Sequence, residues 1–382
     1  MESLPNDDLS NWKLLLGFLP ENWESLGRES GALLRMRGFP DAECLLRTLL
    51  VYLVEGRSLK HTALRAEKAG LTSVSSVAIW KRLKQSGEWF RLMNEALLGV
   101  WCRRECPEGL LAGRRIRLVD GTTVSEPGKT GSCWRIHYSI DLATLRCDYV
   151  RIFEKSSGET FRRFEVTQGD VLIGDRVYAN RPGIRHVISH GGDAIVRLPY
   201  SNVPLANGAG SPVDMLAHLR TLDTCDIGEW HWCIPPADDN DEAIPVRVCA
   251  VKKSETAAEI ARKKILRTAQ KSNFEASPEA LEAAGYFIVL TTLPQRAAPA
   301  AQVLELYRGR WQIELVFKRL KSILHLGHLP KKEPDGARAW LQGKLFIASL
   351  TETLIAAGED FSPWGYLLGI EKKPLAGDRI HV

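Results

Sequence analysis

Three acidic residues and a run of basic ones carry the chemistry that this sequence offers. Asp120 ends the run RRIRLVD, Asp175 ends DVLIGD, and Glu314 lies within LYRGRWQIELVFKRLK. Each aspartate follows a short apolar, strand-like run. Each therefore stands where a strand stops and side chains turn outward, the rim at which α/β sheets collect ligands. Cutting a phosphodiester without a covalent enzyme intermediate calls for divalent metal. Two ions about 3.5–4 Å apart activate the attacking oxygen and stabilise the leaving one. Magnesium prefers carboxylate, water and phosphate oxygens. Asp120, Asp175 and Glu314 are the candidate ligands. They are remote from one another in the chain, so only folding can gather them.

The stretch around Glu314 supplies the second signal. Placed on one helix at about 100° per residue, Tyr307, Arg310, Glu314, Lys318 and Lys321 share a narrow stripe. Ile313, Val316, Phe317, Leu320, Ile323 and Leu324 fall on the other side, as a core face does. A solvated face with a Glu314–Lys318 ion pair is the plain alternative. One carboxylate among four cationic or phenolic groups better suits a metal ligand flanked by phosphate-holding side chains. Arg310 can grip phosphate oxygens in a fork.

The spacing Tyr307, Arg310, Glu314, Lys321 resembles the YREK signature of the insertion-sequence four family of DDE transposases. The likeness extends to LVDGTTVSEPG, RIHYSIDLATLRCDYV and VLIGDRVYANRPGI, and spans residues 30 to 345. It implies an α/β fold: a ribonuclease H-like core interrupted by a β-rich insertion, behind an N-terminal helical DNA-binding domain. It implies catalytic Asp120, Asp175 and Glu314 holding two Mg2+ ions, or Mn2+ in their place. Asp120 bridges both ions, and Tyr307, Arg310, Lys318 and Lys321 hold DNA. The implied partners are double-stranded DNA, as element ends and target, and a second copy of the chain in a synaptic complex. The implied reaction nicks the element end with water. The freed 3′-hydroxyl then closes a hairpin on the opposite strand and later attacks target DNA. A base is flipped against an aromatic residue, for which Tyr286 and Trp311 are both open. Relatives carry a longer helical tail than this chain shows after His325. That difference leaves a remnant that only binds DNA as one alternative; a metal nuclease with the same core that only hydrolyses is the other.

A chain of 382 residues suffices for two or three domains. A 45% hydrophobic, 25% charged composition is that of a globular protein, and eleven tryptophans promise a large core. The net charge of +5 is mild, so polyanion binding has to come from local clustering. Residues 1–30 carry six acidic and two basic residues; residues 31–105 carry thirteen basic against seven acidic. No membrane span or signal peptide is expected, and a cytoplasmic location follows. The eight cysteines lack zinc-finger spacing and are expected to be reduced thiols.

Three helical patterns fit residues 31–105, the last ending at Gly87. The second and third form a helix-turn-helix candidate in which Arg57, Lys60, Arg65, Lys81, Arg82 and Lys84 face DNA. A plain helical bundle is the alternative. The expected division is residues 1–105 for DNA binding, 106–200 for the first part of the core, 201–295 for the insertion, 296–345 for the completed core and 346–382 for the tail. Thr122 and Thr123 are expected to order the Asp120 turn, and Arg176 and Tyr178 to touch DNA or support Asp175. Asp148 and Asp170 are placed at the wrong ends of their strands. His186 and His190 have zinc-compatible spacing without a metalloprotease glutamate between them.

Overall fold

A computed structural model of the chain describes residues 7–102, 110–128, 132–154, 158–200, 203–238, 241–273 and 275–360. Six helices come first: α1 (Asp7–Leu16), α2 (Trp23–Glu29), α3 (Ala42–Glu55), α4 (Leu59–Lys68), α5 (Ser76–Gln85) and α6 (Gly87–Cys102). Side-chain caps start three of them. Asp41, Ser58 and Ser75 accept the N–H groups of Cys44, His61 and Ala78. The helix α6 corrects the reading that stopped at Gly87. That glycine begins a helix because it lies against α13 (Pro334–Asp360), where a Cβ would come 3.1 Å from Ala339. Trp89, Phe90, Met93 and Leu97 then recur at helical spacing on the buried side.

The strands are β1 (Arg115–Ser125), β2 (Ser132–Asp141), β3 (Cys147–Glu154), β4 (Asp170–Gly174), β5 (Asp193–Arg197), β6 (Ile227–Ile234), β7 (Ile244–Lys252) and β8 (Tyr286–Thr291). They form one sheet in the order β3-β2-β1-β4-β5-β8-β7-β6. The first three pair antiparallel, and β4 and β5 continue parallel to β1. That is the strand order of a ribonuclease H-like core, the fold that the resemblance implies. The helix is α7 (Arg181–Ser189), capped by Asn180 with proline in its first turn. Residues 201–295 extend this same sheet through β6, β7 and β8. They add α8 (Met215–Leu219), α9 (Glu255–Lys271) and α10 (Pro278–Ala283).

Each face of the sheet buries its own core. Ile116, Leu118, Ile136, Tyr138, Val171, Ile173 and Ile195 face the N-terminal helices, α11 (Ala300–Arg308), α12 (Trp311–Ser322) and α13. Val119, Leu172 and Val196 face the other way, towards α7 and α8. Strand alternation produces this split. The single helix expected over Tyr307–Lys321 is two helices. Gly309 and Arg310 form a tight turn between them, with the Arg310 N–H bonded to Tyr307 and the Ile313 N–H to Arg310. Ile313, Phe317 and Leu320 are buried as expected. Ile323 is 70% exposed, because α12 has ended at Ser322.

Candidate active site

Sheet register brings the first two carboxylates together. Leu118 on β1 pairs with Ile173 on β4, and Gly174 on β4 with Val196 on β5. Asp120 lies two residues beyond Leu118, Asp175 two beyond Ile173, and Arg197 one beyond Val196. All three therefore stand in one row, on the face that α11 and α12 cover. The strand β4 ends at Gly174, and Asp175 caps the following turn by accepting the Val177 N–H at 2.8 Å. Gly174 admits the buried Tyr178 ring, which a Cβ would meet at 2.7 Å. Across β2, Asp120 is opposite Tyr138, and Phe317 of α12 packs edge-on against that ring at 5.9 Å. This contact sets α12 over the end of the row.

Arg310 supplies the third link. Its guanidinium lies 3.6 Å from the Asp120 carboxylate and also bonds the carboxylate of Glu314, one turn along. Burial pushes Asp120 up to about 7; Asp175 and Glu159 add to the rise, against the pull of the Gly121 N–H and Arg310. Glu159 is held by Arg135 at 3.4 Å and sits against Gly121, where a Cβ would meet its oxygen at 2.7 Å. Burial likewise lifts Tyr307 to about 12, opposed by Arg310 and Arg197. Arg197 stacks over the Phe287 ring at 3.9 Å, and Tyr307 packs edge-on against the same ring at 5.6 Å. Burial, with Arg176 and Arg310 nearby, brings Arg197 down to about 10. A cleft of about 680 Å³ opens beside the row, lined by Leu142, Phe287, Tyr307, Arg310 and Trp311.

The Transposase DDE domain family matches residues 153–350. The InsL protein of insertion sequence element IS186A from Escherichia coli (strain K12) is 35% identical over 368 residues, 95% of this chain and 98% of that protein. The transposase for insertion sequence element IS421 from Escherichia coli is 35% identical over 369 residues, with the same coverage. The chain belongs to the DDE transposase family. A piggyBac transposase from a synaptic complex with hairpin DNA aligns at TM-score 0.45 and 8% identity, covering 90% of this chain and 73% of that one. Membership makes the protein a DNA-cleaving and strand-transferring enzyme of an insertion sequence, dependent on divalent metal.

Several expected site residues of the transposase lie at this rim: Asp120, Asp175, Tyr307, Arg310 and Glu314. Lys318 and Lys321 extend from the exposed side of α12. Further away, Lys81 is exposed on α5, and Lys84 reaches Glu333 at 3.4 Å. Arg82 is a correction. It is buried, and its guanidinium donates to the carbonyls of Ala32 and Arg35, so it ties α5 to the loop after α2 and does not face DNA. Asp141, Asp148 and Asp170 engage Arg115 and Arg117 at the opposite end of the strands. The His186 ring meets the Phe164 carbonyl, and the His190 ring meets the carbonyl of His186. Tyr286 is buried, whereas Trp311 is 52% exposed at the cleft. Cys44, Cys147, Cys225, Cys233 and Cys249 are free thiols, and Cys106 lies outside the described residues. Among the described residues no helix is long and apolar enough to cross a membrane.

Sequence reasoning missed Arg197 and Glu159. Arg197 carried a usable signal, since it ends the apolar run DAIVR as Asp175 follows DVLIG. Glu159 carried none; only the fold brings it beside Gly121.

Proposed function

We propose that Asp120, Asp175 and Glu314 are the catalytic carboxylates and hold two Mg2+ ions, with Mn2+ as a substitute. The observation carrying this reading is Arg310, which touches both Asp120 and Glu314 where register sets Asp120 beside Asp175. The donor set suits hard divalent cations: every donor is a carboxylate oxygen, and Asp120 is half-buried, with the like charges of Asp175 and Glu159 near it and Arg310 opposing them. Among the described residues no three such groups already close on one point. Glu314 is engaged with Arg310, so the ligand set is completed when that carboxylate turns from the guanidinium to the ions. Bound there, the ions supply charge stabilisation at the attacking and leaving oxygens.

The chain's own residues position the DNA. Arg310, released from Glu314, offers its fork to a phosphate beside the cut. Tyr307 stays a neutral phenol that donates a hydrogen bond to phosphate. Arg197 adds a guanidinium on the far side of Tyr307. Lys318 and Lys321 hold the backbone further along α12. Lys81 and Lys84 contact DNA from the helical region 1–105, and residues 106–200 and 296–345 form the core around the 201–295 insertion. Water cleaves the strand, leaving a 3′-hydroxyl. That hydroxyl attacks the opposite strand to close a hairpin, with a base flipped against Trp311, and after reopening attacks target DNA. Two copies act together on paired ends, in the bacterial cytoplasm.

The test is Glu314→Ala, assayed on element-end DNA with Mg2+. Cleavage is expected to vanish while end binding persists. Cutting by that variant at the parent rate would overturn the assignment. Hairpin and strand-transfer products from the parent separate transposition from hydrolysis alone.

A further inference from the structure

The helix α9 leaves the sheet at the same rim as the active site. Val251 and Lys252, the last residues of β7, pair with Phe287 and Tyr286. Phe287 is the ring shared by Arg197 and Tyr307. Lys253 follows, donating to the Ala284 carbonyl at 2.8 Å and lying within electrostatic range of Arg197. Ser254 then caps α9, which runs for 17 residues. Its only buried residues are Ala257, Ala258 and Ala269.

Charge on α9 is sorted by face. Glu255 pairs with Arg262, and Glu259 approaches Lys263 at 4.0 Å. Those four residues match one another. At about 100° per residue, Ile260, Lys264, Arg267 and Lys271 share a separate stripe about 60° wide. No acidic residue of the helix falls within it. All four are exposed, and none of the three cations makes an ion pair among the described residues. From Lys264 to Lys271 the stripe covers about 10 Å at 1.5 Å per residue. A surface serving only solubility does not require acids and bases to be segregated in this way. An unmatched cationic line leading away from a strand-cutting site complements a polyanion entering that site.

We propose that α9 is a backbone-tracking surface, on which Lys264, Arg267 and Lys271 grip successive phosphates of the duplex that extends from the active site. The contacts are to phosphate, so they add affinity without reading sequence. Ile260 lies on the same stripe and lets the helix approach the sugar edge.

The experiment measures how binding of a blunt duplex of arbitrary sequence depends on salt, without divalent metal and with the full chain. For Lys264→Ala/Arg267→Ala/Lys271→Ala, the slope of log K against log salt is expected to become shallower by about 2.7, at ~0.9 per phosphate contact. The variant's disadvantage should therefore shrink about 40-fold between 50 and 200 mM salt. Single variants should each give about a third of the slope change. The charge-preserving variant Lys264→Arg/Arg267→Lys/Lys271→Arg should keep the parent slope. A triple variant with the parent slope overturns the proposal, as does loss of slope in the charge-preserving variant. The three cations are exposed, and the helix is anchored by its alanines, so folding should survive; the single variants stand in if it does not. No cleavage is needed for the readout, so its failure leaves the Asp120, Asp175 and Glu314 assignment standing.

Discussion

The two ends of the central strands carry the same kinds of residue to different effect. At the starting end, Asp141, Asp148 and Asp170 each meet a guanidinium. Arg115 reaches Asp148 at 2.9 Å and Asp141 at 3.2 Å; Arg117 reaches Asp148 at 2.9 Å and Asp170 at 3.0 Å. At the finishing end, Asp120 and Glu314 share Arg310, and Asp175 has no cationic side-chain partner among the described residues. Matched charge fastens a fold. Carboxylates left in excess at a rim are available to a cation and a phosphate.

The sharpest way to break this contrast is to neutralise one residue at each end. Asp120→Asn should reduce Mg2+-dependent cleavage at least ~1,000-fold, a loss of about 4 kcal/mol of transition-state stabilisation. It should not harm the fold. Folded Asp120 titrates near 7, above its ordinary 3.8, so its ionised form opposes folding above pH 7; that penalty fades as pH falls towards 3.8. Metal-free Asp120→Asn should therefore melt no lower than the parent at pH 8. Arg117→Met should do the reverse. It removes one of the two guanidinium partners of Asp148 and the one cationic side-chain partner that Asp170 has among the described residues, both carboxylates almost fully buried, at a cost of about 3–5 kcal/mol in a denaturant titration. A destabilised Asp120→Asn or an unharmed Arg117→Met would erase the distinction between the two ends.

Part of this contrast was legible in the sequence. Strand-end position separated Asp120 and Asp175 from Asp148 and Asp170, because an apolar run shows which end of a strand a residue occupies. The caps Ser58, Ser75 and Ser254 are of the same local kind, since each bonds an N–H only three residues along the chain. What depends on distant partners was not legible. Gly87 looks like a terminator until Ala339 is packed against it. Arg82 looks like a DNA contact until the carbonyls of Ala32 and Arg35 arrive. The break at Gly309 and Arg310 is hidden because both residues keep right-handed helical angles, so periodicity runs almost smoothly through it. Glu159 is adjacent to the site only through the fold.

His137 sharpens the comparison on the sheet face behind the row. It is fully buried between Phe153 and Phe164, with neither ring nitrogen hydrogen-bonded. Burial, with Arg135 and Arg163 nearby, pushes it down to about 4 from 6.5. The unfolded state therefore binds the proton first. Stability is full above pH 6.5 and falls as pH drops towards 4, by about 3 kcal/mol for this group. His137→Phe should flatten that part of the stability–pH curve. An unchanged curve would show that the ring is already protonated, or solvated, in the folded protein.

The smallest expected effect contrasts unmatched with matched cations on the surface. Lys321 is exposed on α12 near the row and makes no ion pair among the described residues. Arg220 is also exposed, but both arms of its fork already hold Glu282, at 2.7 and 2.8 Å. If unmatched charge marks the DNA path, Lys321→Ala should make the salt dependence of end binding shallower by about 0.9, the release belonging to one phosphate contact. Arg220→Ala should leave the slope alone, because its charge is already answered within the protein. Equal slopes in both variants would mean that α12 beyond Glu314 does not carry the DNA backbone, and that the path leaves the rim along another element.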